Sequence, residues 1–112
     1  MQILRWWQRV TLDDIKAILK TTGLPVVYNA WPENAAPPLP YLCYLSPGTD
    51  NFAADGKTYH VINQINIELY TKFKDPELEG KVEEALSSVF WDKTETWIES
   101  ERCFQVLYEI EV

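Results

Sequence analysis

The sequence predicts an α+β domain in which two helices pack on a mostly antiparallel sheet of four to five strands. Two apolar stripes at helical spacing, separated and followed by runs that alternate with period two, carry that prediction. The alternating runs are wet on one parity, which suits an antiparallel sheet rather than a parallel one covered on both faces. The order reads α, β, β, β, α, β, β.

The first helix is expected over Leu12–Thr22. Thr11 can cap it, Asp13 and Asp14 suit its positive end, and Leu12, Ile15, Ile18 and Leu19 share one side. Gly23 is placed to stop it. Leu24–Trp31 has the β-branched and aromatic content of a strand. The nine residues 32–40 contain four prolines, among them Pro37 and Pro38, which forbid helix and central strand and read as a stiff entry loop. Tyr41–Leu45 is a second strand. Ser46–Lys57, with the turn dipeptides Pro47-Gly48 and Asp55-Gly56, is a long connection.

Thr58–Tyr70 is the longest alternating run, with Tyr59, Val61, Ile65, Ile67 and Leu69 on one parity. Asp75 caps a second helix with Pro76 in its first position, and Glu77 pairs in prospect with Lys81. Leu78, Val82, Ala85, Leu86 and Val89 form its stripe. A short strand, Glu95–Glu99, and a turn at Ser100–Arg102 precede a last strand over Cys103–Val112. There Phe104, Val106, Tyr108, Ile110 and Val112 point inward and Gln105, Glu109 and Glu111 outward.

The 112 residues make one domain, residues 1–112, with 11–112 as its core and 1–10 as an extension. That extension is aromatic and basic (Arg5, Trp6, Trp7, Arg9), and helix, strand and leader all remain open for it; it lacks the apolar run of a secretory signal. No apolar run approaches the ~20 residues of a membrane span. The net charge of −7 is uneven: residues 1–56 carry five acids and four bases, residues 57–112 twelve acids and six bases. Such a balance disfavours bulk nucleic-acid binding, which needs a basic face. Cys43 and Cys103 sit in apolar runs and are expected to be buried free thiols in a cytoplasmic protein.

No catalytic, cofactor or metal set emerges. His60 is the only histidine and stands on the wet parity of its strand, with no nucleophile motif near it. Two distant cysteines and one histidine do not make a zinc site. The stretch 50–56 lacks the ligand alternation of a calcium loop. The four glycines are scattered, so no loop cradles a phosphate. The acidic pairs are expected to be solvated. The chain is read as a non-enzyme that presents shape. The candidate interface is Trp31, Pro37, Pro38, Pro47, Gly48, Asp50, Phe52, Asp55 and Gly56, together with the free sheet edges.

Several segments together carry a resemblance: Leu24-Pro25-Val26-Val27-Tyr28, Pro37-Pro38-Leu39-Pro40-Tyr41, Asn66-Ile67-Glu68-Leu69-Tyr70, Asp75-Pro76-Glu77-Leu78-Glu79, and the ending Gln105–Val112. From about Thr11 to Val112 the chain resembles small tailed-phage and prophage morphogenesis proteins of the tail-completion, tail-terminator and head–tail joining type. That likeness implies a structural subunit of the virion, assembled in the host cytoplasm as a ring, often hexameric, against other tail or connector proteins. It implies no membrane, no specific nucleic acid and no cofactor. In such a ring Glu77, Glu79, Glu83 and Glu84 are candidates for an acidic lumen that repels DNA phosphate. The competing expectation is a monomeric acidic binding module of inhibitor or immunity type.

Overall fold

A computed structural model describes residues 10–54 and 56–112, without the side chains at 52–54 and 58–60. The expectations for residues 1–9 and Asp55, and for the side chains of Phe52, Tyr59 and His60, lie outside the described residues.

Helix α1 covers Leu12–Lys20. Thr11 Oγ1 accepts from the Asp14 N–H at 3.1 Å and Asp14 Oδ2 accepts from the Thr11 N–H at 2.9 Å, closing a capping box. The helix stops before Gly23, whose φ of +81° is the left-handed conformation that ends helices. Helix α2 covers Pro76–Ala85, with Asp75 Oδ1 accepting from the Leu78 N–H at 3.1 Å and Pro76 at the first turn. Its apolar stripe outlasts it. Leu86 is buried and Val89 packs on the core from the turns after the helix.

The strands of the described residues are β1 (Val26–Tyr28), β2 (Tyr41–Thr49), β3 (Phe52–Ala54), β4 (Lys57–His60), β5 (Asn63–Thr71), β6 (Trp91–Ile98) and β7 (Cys103–Glu111). Five of them form one sheet in the order β1-β2-β5-β7-β6, while β3 and β4 pair with each other. Among the described residues only β1 and β2 run parallel. The predicted α+β class is the observed one.

Both helices lie on one face. Ile15 and Leu19 of α1 and Val82 of α2, with Leu86, meet Leu42, Tyr44, Ile65, Ile67, Leu69, Val106, Tyr108 and Ile110 in a single core. The inward parity predicted for β5 and β7 is the buried one: Ile67 faces Tyr108 and Leu69 faces Val106 across the ladder. Burial of such side chains drives the fold at roughly 25 cal/mol per Å² of apolar surface.

Three predicted strands have other limits. β1 is short because Pro25 precedes it and Asn29, with φ of 65°, ends it. The run Thr58–Tyr70 is two strands separated at Val61–Ile62, because the main sheet ends where Asn63 exchanges two backbone hydrogen bonds with Val112. β6 begins at Trp91, well before Glu95, and Glu99–Glu101 is a 3-10 turn closed by Arg102 at φ 52°. Past Trp91, which packs on Tyr108, residues 92–97 are exposed and show no alternation to read; pairing with β7 holds them in place.

Candidate functional site

The expected loop Ser46–Lys57 is instead a β arm. β2 runs on to Thr49 opposite Asn63, the Asp50 N–H donates to the Ile62 carbonyl at 2.8 Å, and β3 and β4 extend the hairpin. Pro47-Gly48 does not turn the chain. Leu45 faces Asn66 and Gly48 faces Gln64, so Ser46 and Pro47 bulge opposite the single residue Ile65. A proline has no N–H to give a ladder, and a bulge is where a sheet tolerates one. Ser46 Oγ donates to the Gln64 carbonyl at 2.9 Å and fixes the bulge. Gly56, with φ of +74°, stands at the tip of the arm.

Trp31, Pro37 and Pro38 are at the other end of β2. The Trp31 ring meets Tyr41 edge-on at 5.8 Å between centroids, and Tyr41 meets Tyr70 at 5.4 Å. From Tyr41 to Thr49 the strand spans about 26 Å at the usual rise. The candidate interface residues are thus brought together as two groups, the proline loop at one end and the arm with Pro47, Gly48 and Asp50 at the other.

The helix-free face is half-covered near the proline loop. Gln105 Nε2 donates to Tyr70 Oη at 3.0 Å, and Tyr70 Oη donates to Glu68 Oε1 at 3.1 Å. Burial pushes the Glu68 carboxyl up, against the Tyr70 hydrogen bond. The Cys43 thiol is pushed up to about 11, by burial first and by Glu68 second. Cys43 and Cys103 are free and buried, as expected. Near the arm the same face is polar: Gln64, Asn66, Asp92, Glu109 and Glu111 line an open hollow of about 590 Å³ beside Phe90.

The four α2 acids part company. Glu77 and Glu84 are exposed, and Glu77 does not take up the expected pairing with Lys81. Glu79 is only 3% exposed. The Lys74 ammonium lies 2.9 Å from its Oε1 and 2.8 Å from its Oε2, and Lys93 Nζ is 3.2 Å from Oε1. Glu83 Oε2 accepts from Lys93 at 2.9 Å and from Tyr108 Oη at 2.8 Å. Burial raises the Glu83 carboxyl, but the hydrogen bonds from Lys93 and Tyr108 outweigh it and hold the group below its ordinary value. The candidacy of Glu79 for an acidic lumen is therefore corrected, and Glu83, expected to be solvated, is partly buried and hydrogen-bonded. α2 turns Glu79 toward β6, where the register puts Lys93 beneath it. Sequence reasoning missed this network. Its one legible sign was Lys93 standing on the same parity as Trp91 in a strand whose start was not recognised.

The rim of the sheet carries exposed aromatic groups: Phe90 is 82% exposed and Trp97 43%. Among the described residues no group of three His, Cys, Asp or Glu side chains is placed to hold a metal, and no helix is long and apolar enough to cross a membrane. No protein-family model matches the chain, and no curated protein is significantly similar to it.

Proposed function

We propose that the protein is a structural subunit of a tailed-phage or prophage particle that forms a ring at the head–tail junction or tail end. The observation that carries this reading is the β arm. Within the described residues β3 and β4 pair only with each other, beyond the point where the five-stranded sheet stops. Two strands in water are marginal by themselves, so an arm of this kind gains stability when a neighbour covers it. The proline loop at the far end of β2 supplies a second, different surface, and a ring needs two different surfaces that meet. Glu77 and Glu84 are the α2 acids that remain available to a DNA-repelling lumen.

The test deletes 51–61 and joins Asp50 to Ile62 through Asn-Gly. The 2.8 Å hydrogen bond between those two residues means that a tight turn can close there without disturbing the sheet. The wild-type chain is expected to scatter light as a ring, a multiple of 13.1 kDa, and the deleted chain as a smaller folded species. Unchanged mass after the deletion refutes the arm as the ring contact. A wild-type monomer at all concentrations favours the second reading, a monomeric acidic binding module, for which the twelve acids and six bases of residues 57–112 speak.

A further inference from the structure

Among the described residues β6 is the long free edge of the five-stranded sheet, eight residues with one side paired to β7. The opposite edge, β1, has three residues. An exposed edge of that length offers backbone donors and acceptors to another strand. Its central sequence, Trp91-Asp92-Lys93-Thr94-Glu95-Thr96-Trp97, is complementary to itself about Thr94. Tryptophan stands three places away on each side, and opposite charges stand one place away.

We infer that β6 pairs antiparallel with β6 of a second copy, about a two-fold axis at Thr94, to join two five-stranded sheets edge to edge. In that register Trp91 faces Trp97 of the second copy, Lys93 faces its Glu95, Asp92 its Thr96, and Thr94 meets Thr94. Each pair occurs twice or lies on the axis, which is what a self-complementary contact requires. Directly opposed residues of an antiparallel pair share a face, so the tryptophans and the charges lie on the helix side of both sheets. One step beyond, Phe90 comes beside Ile98, which brings the most exposed large apolar side chain of the described residues under cover.

The register is specific. The smallest slip that keeps all helices on one side moves the strands by two residues, and it sets either Lys93 on Lys93 or Glu95 on Glu95 at the axis. A lysine in an edge strand commonly blocks such pairing. Here Lys93 is drawn over the helix face, 2.9 Å from Glu83 and 3.2 Å from Glu79, and Glu95 is held 2.7 Å from Lys74. The edge itself is left to Thr94 and its neighbours. Exposed ion pairs add little energy, so the four aromatic contacts supply most of the affinity and the charges supply the register.

The test compares the wild-type chain, Thr94→Lys, Thr94→Cys and Ser88→Cys by sedimentation and by cross-linking with a short bis-maleimide. Two ammonium groups meeting on the axis should weaken wild-type self-association about tenfold or more, while circular dichroism stays unchanged because Thr94 is exposed. Thr94→Cys should give a covalent dimer. Ser88→Cys, exposed but off the edge, should not, and the buried Cys43 and Cys103 stay silent. Self-association that ignores Thr94→Lys, or cross-linking as fast at position 88 as at 94, overturns the inference, as does a wild-type chain that never associates. Thr94→Lys leaves the arm contact intact and deletion of 51–61 leaves the β6 contact intact, so the two proposals fail separately.

Discussion

Replacing Glu79 by alanine tests the least expected part of the structure. The carboxylate is 3% exposed and is reached by two ammonium groups, Lys74 at 2.8 Å and Lys93 at 3.2 Å. Removing one partner of a fully buried ion pair costs roughly 3–5 kcal/mol, because the other charge is left in a poor solvent. Neither lysine is left so. Their side chains are 41% and 31% exposed, Lys74 keeps Glu95 at 2.7 Å and Lys93 keeps Glu83 at 2.9 Å. Water and the remaining carboxylates reduce the expected loss to about 1–3 kcal/mol. Glu77→Ala and Glu84→Ala, on the open side of the same helix, should stay within about 0.5 kcal/mol of wild type. Urea unfolding separates these outcomes. With a slope of about 1–3 kcal/mol per molar for a domain of this size, Glu79→Ala should lower the midpoint by roughly 1 M. A midpoint indistinguishable from that of Glu77→Ala would show that Glu79 is solvated like its neighbours, and the ion-pair account would fall.

Two further outcomes follow from the same geometry. Glu83 titrates below its ordinary value in the folded chain, so the stability it contributes is present above the unfolded carboxyl pKa of about 4.3 and is lost as pH falls through the lower folded value. Tyr108→Phe removes one of the bonds that hold it down. The variant should lose about 1 kcal/mol at neutral pH and show a shallower acid limb in its stability profile; an unchanged acid limb would exclude the Tyr108–Glu83 bond. Cys43, with its thiol pushed up to about 11, and buried Cys103 should resist a thiol reagent at pH 8 in the native state and both react in urea. Fast labelling of the folded chain would contradict their burial.

What was legible in the sequence was local. Thr11 and Asp75 cap helices because a side-chain oxygen can reach an N–H three residues on, and that geometry needs no tertiary partner. Gly23 ends α1 for an equally local reason, its left-handed backbone. The inward sets of β5 and β7 followed from a side-chain period of two, and the two free thiols from the apolar runs around them. The candidate interface was legible only as separate pieces, because a proline loop and a bulged strand do not announce which end of a sheet they will occupy.

Tertiary structure decided the rest. Glu77, Glu79, Glu83 and Glu84 are one acidic stretch when read along the chain, yet the packing of α2 over the edge strand buries Glu79 against lysines fourteen residues ahead and five behind. Trp91–Thr94 has no alternation to reveal it, and becomes strand because the backbone of β7 offers it a ladder. Ser46–Lys57 reads as a loop by its Pro-Gly and Asp-Gly pairs, but a bulge absorbs the proline and lets β2 continue into the arm. Caps, periods and turns act over a few bonds and are written in neighbouring residues. Strand order, register and the burial of a charge depend on which distant groups arrive beside it, and only the folded chain brings them there.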